Sequence, residues 1–306
     1  MNNKPRNHHF VPQFWIKKFA SADKHLWGYD WEGDSVNQRS SRAVMQIFNL
    51  YTMQPSGLDD TSTETDELGK VDSQGAIVLD RVLGGDRNES AKTQLATFFA
   101  AQIMRDPASL SSYAPKAQEF ALHLLDAVKA DDFIRYSAYL EKLFPGASIT
   151  EAEYEHIRKL GPQGAEQALD LIIKALDAKG GIPELPFTDL VNEASGRDMI
   201  YRGLLAMDWE IKTDAGDGYV LGDAAVLFDK GDFRNGLRIP LSKGAALYLT
   251  PSAMPASGIS SSSAQPFEVD GLNNESAARA RKWLVGEKVR IEALKGQLIG
   301  EGLPAV

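Results

Sequence analysis

A chain of 306 residues with 43% hydrophobic and 25% charged residues is composed like an ordinary folded protein, which excludes a disordered or fibrous class. It contains no cysteine, so disulfides, zinc–thiolate sites, iron–sulfur clusters and thiol nucleophiles are excluded, and any metal must be held by histidine, carboxylate or carbonyl oxygen. The net charge of −9 argues against capture of nucleic acid over a broad surface, while Lys4, Arg6, Lys17 and Lys18 form a local basic cluster near the N-terminus.

That cluster flanks "NHHFVPQFWIKKFA", residues 7–20, which holds two of the five histidines. Gln13, Lys17 and Lys18 interrupt its apolar run, so no signal peptide is expected there, and no later run reaches the roughly 18 apolar residues of a spanning helix. A cytoplasmic chain outside the membrane is therefore expected. Pro12 disfavours helix before it, which leaves His8 and His9 in extended or turn geometry and permits a short helix from Pro12 to Phe19. Phe10, Phe14, Trp15 and Phe19 supply enough apolar surface to dock this arm on the core.

"HLWGYDWEGDSVNQRS", from His25, alternates like a β-hairpin with a turn at Gly33-Asp34. An acidic loop, "PSGLDDTSTETDELG", leads into a helix through "VDSQGAIVLDRVLGG" that Gly84-Gly85 stops. A helix capped at Ser90 carries Leu95, Phe98, Phe99 and Ile103 at helical spacing and ends before Pro107. A second long helix is expected from near Pro115 to Pro145-Gly146. A short one follows between Thr150 and Gly161-Pro162, another runs to Gly180-Gly181, and one capped by Thr188 reaches about Trp209. Beyond Trp209, "GYVLGDAAVLF", "GLRIPL" and "AALYLT" read as strands, "ASGISSSSAQP" as a mobile loop, and "ESAARARKWLVGEKVRIEAL" as a helix capped by Asn273 or Asn274.

The expected architecture is one α+β domain over 1–306. It comprises an arm and hairpin at 1–55, a predominantly helical centre at 60–209, a β segment at 210–250, a mobile loop at 255–268 and a C-terminal helix at 273–296. Neither β region has enough strands for an independent sheet, so the N-terminal hairpin and the C-terminal strands are expected to form one small antiparallel sheet.

Four segments in this order, "HHFVPQFWIKKF", "FFAAQIMRDP", "GYVLGDAAV" and "RIPLSKGAALYL", together with "LNNESAARAR", resemble the bacterial family known as domain of unknown function 4238. The resemblance carries positions rather than chemistry. It matches His8, His9, Val11 and Pro12 to the family's start, Arg105 to its arginine before a proline-ended helix, and Asp223 to its strand-end aspartate. Where the family commonly has Asn-Pro after that aspartate, this chain has Ala224-Ala225.

Read from the residues themselves, His8 and His9 are adjacent and so point to opposite faces of any strand, reaching one ligand together only through irregular backbone. An imidazole pair serves as ligand or acid–base group near neutral pH; equally, one ring hydrogen-bonds in the core while the other faces solvent. Gln102 and Arg105 share a face of an apolar helix with Phe98, so Arg105 either ties to a carboxylate (Asp72, Asp106 or Asp223) or clamps a ligand's phosphate or carboxylate. Asp72 and Glu67 read as a solvated acidic face, His123 as a core histidine, and Trp27, Tyr29 and Trp31 as hairpin packing. No GxSxG, Walker A, GxGxxG or HExxH motif is present, so no nucleotide cofactor is expected.

The function expected from these features is a metal-dependent hydrolase, a phosphodiesterase or nuclease of toxin or defence type. Its site would gather His8, His9, Arg105 and Asp223, with His8, His9 and Asp223 holding a divalent ion and Arg105 steadying a phosphoryl oxygen of a small-molecule or nucleic-acid phosphoester. The alternative is a non-catalytic binding or regulatory protein in which the same residues tie the arm to the core. The sequence indicates no oligomeric state.

Overall fold

Pro12 ends the extended arm and begins a helix at one residue. Its φ of −60° and ψ of 139° lie in extended backbone, yet its carbonyl accepts from the amides of Trp15 and Ile16, at 3.0 and 3.1 Å. The computed structural model describes residues 7–21, 23–48, 69–107, 123–143, 149–159, 194–229 and 235–295. The first elements are β1 (Asn7–His9), α1 (Gln13–Ile16), β2 (Leu26–Asp30), β3 (Ser35–Arg39), β4 (Gln46–Phe48), α2 (Gly69–Leu83) and α3 (Glu89–Met104). Next come α4 (Phe133–Leu143), α5 (Glu151–Lys159), α6 (Ala194–Leu205), β5 (Met207–Thr213), β6 (Leu221–Gly222), β7 (Leu227–Phe228), β8 (Leu237–Ser242) and β9 (Ala245–Pro251). The chain closes with β10 (Ile259–Ser263), α7 (Pro266–Arg279), β11 (Trp283–Gly286) and α8 (Lys288–Leu294).

The fold is α+β, as expected, and the chain clusters into two compact units. One comprises Met1–Asp106 and Arg197–Leu303; the other comprises Pro107–Gly196 and Pro304–Val306. The helices α2 and α3 belong to the first unit, and α4 and α5 to the second. Among the described residues of that unit, Tyr154 packs against Phe133 and Tyr136, with ring centroids 5.4 and 5.2 Å apart. Thr150 caps α5 as anticipated, its hydroxyl accepting from the Glu153 amide while the Glu153 carboxylate accepts from the Thr150 amide. The long helix expected to run to Pro145 is interrupted: Asp131 takes a positive φ of 54°, and α4 starts afresh at Phe133. Expectations for the acidic loop at 55–68, the start near Pro115 and the helices at 160–193 lie outside the described residues.

The first unit holds the sheets. The hairpin β2–β3 is antiparallel as expected, but its sheet runs β3-β2-β11-β6, so β11 stands between the hairpin and the segment after Trp209. The remaining C-terminal strands form a separate sheet, β10-β5-β9-β8-β7, and β1 pairs with β4. The N-terminal hairpin thus shares a small antiparallel sheet with the C-terminal strands β11 and β6, as expected; the further strands form sheets of their own, in one of which β10 joins β5 in parallel.

Three local expectations also change. The Ser-rich segment contains a strand, β10, and runs into α7 at Pro266, so the loop expected over 255–268 is largely regular structure. Lys92, buried on α3, donates to the carbonyls of Met207 (2.9 Å) and Ala256 (2.7 Å) and so pins the chain just before β10; burial lowers its pKa. The helix expected over 273–296 is instead the end of α7, then β11, then α8. Asn273 caps nothing there: its amide bridges the Gly218 carbonyl (2.7 Å) and the Val220 amide (3.0 Å), while the Gln265 amide at the true start is met by Glu268 (2.9 Å). Likewise the cap of α3 is Asn88, not Ser90, its side chain accepting from the Ala91 amide at 2.9 Å.

The core is aromatic where the arm docks. Trp15 contacts Phe98 and Phe99 at centroid separations of 5.8 and 5.7 Å, and Phe99 continues the row to Trp209 at 6.4 Å. The Trp15 indole N–H donates to the Pro240 carbonyl at 2.9 Å, fixing α1 to β8. Helices α2 and α3 approach closely because Gly75 has no side chain: a Cβ there would stand 2.4 Å from Cδ2 of Phe98. Among the described residues no helix is long and apolar enough to cross a membrane.

Candidate functional site

The pairing of β1 with β4 makes the two histidines diverge. His8 lies opposite Ile47 with its side chain fully buried, whereas His9, opposite Gln46, is half-buried on the other face. His9 Nε2 lies 3.1 Å from the Ser41 carbonyl oxygen. A carbonyl only accepts, so Nε2 carries the proton and Nδ1 of the neutral ring keeps its lone pair. Burial lowers the His9 pKa below 6.5; the Ser41 bond and the negative charge of Asp72 act upward, and the positive charge of Arg105 acts downward. Burial thus favours the neutral imidazole at His9.

Arg105 closes the C-terminal end of α3 and is only 1% exposed. Its Nε donates to Gln102 Oε1 at 2.7 Å and its Nη2 to Asp72 Oδ1 at 2.7 Å, with the guanidinium 5.9 Å from the centre of the Phe98 ring. Gln102 in turn donates through Nε2 to the carbonyl of Phe10, at 2.7 Å. One hydrogen-bonded chain thus runs from the arm at Phe10 through Gln102 and Arg105 to Asp72, in the electrostatic neighbourhood of His9. The carboxylate end is the open one, since the Asp72 side chain is 30% exposed.

Asp72 therefore leaves the solvated acidic face assigned to it and becomes the partner that a buried arginine requires. The signal for this was Gly75, one turn further along the same helix, whose missing side chain brings α2 close enough to α3 for the pair to meet. Glu67 lies outside the described residues. Ser41, which sets the His9 tautomer through a backbone carbonyl, carried no sequence signal.

Asp223 has a different employment. It is fully buried beyond β6, and its oxygens accept three backbone amides, Arg281 (2.8 Å), Lys282 (2.8 Å) and Trp283 (3.0 Å), while its own amide donates to the Trp283 carbonyl. Burial pushes its carboxyl pKa up and the three amides pull the other way. Its link to the arginine chain is indirect: Arg281 Nη2 donates to Asp106, the neighbour of Arg105, at 2.9 Å. His9 and Arg105 are thus brought into one neighbourhood, whereas Asp223 holds the turn that precedes β11.

Among the described residues no group of three or more histidine, aspartate or glutamate side chains is placed to hold a metal ion, and the oxygens of Asp223 already serve three N–H donors.

A family model described as "Protein of unknown function (DUF4238)" matches residues 7–289, a span that includes β1, α3, β6 and β11. No curated protein and no solved structure matches the chain.

Proposed function

The chain belongs to the family of proteins of unknown function DUF4238, and for this member we propose a hydrolase-type activity on phosphoesters, of a nuclease or phosphodiesterase kind suited to a toxin or defence role. The observation that carries the reading is the state of His9: a half-buried, neutral imidazole with a lone pair on Nδ1, beside a carboxylate held by a buried arginine. In this reading His9 takes a proton from water as its oxygen bonds to phosphorus, the P–O bond to the leaving group breaks, and the leaving oxygen takes a proton from solvent while the His9 imidazolium returns its own to water. Asp72 stabilises the imidazolium that forms, and Arg105, itself too buried to touch substrate, positions Asp72. Exposed Arg42, next to Ser41, places a cation on the same loop, which suits an anionic ester. The residues are asked for no metal step.

A second reading has its own observation. Nε and Nη2 of Arg105 are both spent inside the protein, and Gln102 fastens the arm through the Phe10 carbonyl, which is what a purely structural tie requires.

The two readings separate in one experiment. The full chain is assayed with bis(p-nitrophenyl) phosphate and a single-stranded oligonucleotide, in excess chelator, beside His9→Gln, whose amide can keep a bond to Ser41. The hydrolase reading predicts turnover that falls by about 100-fold or more in the variant at an unchanged melting temperature. Because burial lowers the His9 pKa, the acid limb of the pH profile falls below 6.5. Absent turnover with a lowered melting temperature in His9→Gln assigns the cluster to the tie. Stoichiometric divalent metal lost in His8→Ala/His9→Ala would overturn the metal-free scheme.

A further inference from the structure

Among the described residues β10 is an edge strand, bonded in its sheet only to β5. Which of its backbone groups point outward follows from the alternation along a strand. Ala264 donates to the Thr213 carbonyl and Thr213 Oγ1 donates to the Ser262 carbonyl, so even-numbered residues face β5. Ile259, on the odd phase, donates to the Arg87 carbonyl at 2.9 Å, on the opposite side. Ser261 and Ser263 therefore direct their N–H and C=O groups away from the sheet, and no described residue bonds them.

Natural edge strands are guarded by charge, proline or a bulge, and "ISSSS" has none of these. Its serines are exposed, and the free stretch is bounded at one end by Arg87 and at the other by Pro266, where α7 begins. What is left is two outward residues, short enough to match itself. We propose that β10 pairs antiparallel with β10 of a second copy of this chain about a two-fold axis at Ser262, joining the two five-stranded sheets. In that register Ser261 and Ser263 of one copy face Ser263 and Ser261 of the other, so all four outward groups of each copy are bonded and the Arg87 contact is kept. Ser262 faces its own counterpart across a non-hydrogen-bonded pair. No charged side chain on β10 opposes the approach. The exposed apolar residues Met254 and Phe267 flank opposite ends of β10, and antiparallel pairing sets the Met254 end of one copy beside the Phe267 end of the other. An interface of this size gives a weak, concentration-dependent dimer.

Because the chain has no cysteine, a single introduced one reports the register without background. Across the axis the Cα atoms at 262 stand about 4.5 Å apart, within disulfide reach, whereas those at 260 stand about 14 Å apart. Ser262→Cys should therefore form a disulfide dimer under mild oxidation at least about tenfold faster than Ser260→Cys, and the native chain should shift from monomer toward dimer with concentration in sedimentation equilibrium. Ser261→Pro removes an outward amide that β5 does not use; it should abolish that shift with little change in melting temperature. Equal crosslinking at both positions, or a native chain that stays monomeric to millimolar concentration, overturns the proposal. So does a monomer that binds a synthetic extended peptide at this edge, which would assign the edge to a peptide partner.

Discussion

Asp223→Ala is expected to destabilise the protein by about 3 to 5 kcal/mol, because it removes a buried carboxylate and strands the amides of Arg281, Lys282 and Trp283 away from water. Asp223→Asn should recover little of this. One carboxylate oxygen serves Arg281 and the other serves Lys282 and Trp283, so the amide NH2 must face an N–H donor whichever way it turns. Thermal melts of both variants check the point, with about 2 to 4 °C lost per kcal/mol for a unit of this size. An Asp223→Asn protein that melts normally yet loses hydrolytic activity would return Asp223 to the site.

Arg105→Leu is expected to cost about 2 to 3 kcal/mol. The figure sits below that for a fully buried ion pair because Asp72 keeps enough exposure to be hydrated once its partner is gone. Arg105→Lys keeps the charge but not the fork that bonds Gln102 and Asp72 together, and should cost about half as much. The readout that matters is activity beside stability. If Asp72 serves His9, Arg105→Lys loses turnover out of proportion to its melting temperature; if the chain of bonds is only a tie, the two fall together.

Elements whose side chains alternate or repeat against a core were legible from the sequence. The β2–β3 hairpin, α2 with its stop at Gly84-Gly85 (Gly85 at φ 106°), α3 and the β8–β9 pair were all visible in this way. Strand β10 was not, since serine carries no strand signal; its conformation comes from the free edge of β5 and from clamps at Arg87 and Lys92, both distant in sequence. The C-terminal helix was over-extended because "ARARKWLVGEKVR" keeps an adequate helical pattern. What breaks it is Asp223, which takes the amides of residues 281–283 that a helix would have used. At the candidate site, the need of Arg105 for a partner was legible and its choice of Asp72 was not, because that choice depends on how closely two helices pack at Gly75.

The proposed activity needs His9 to rest as the neutral tautomer protonated on Nε2, with Nδ1 as the base. Long-range 1H–15N correlation of the imidazoles through a pH titration, assigned with His9→Gln, tests it directly. His9 is expected to show the Nε2–H tautomer, a midpoint below 6.5, and an upward shift of the midpoint when dimethyl phosphate is added at high concentration. A His9 ring protonated on Nδ1, a midpoint above 6.5, or a midpoint indifferent to the phosphodiester would contradict it.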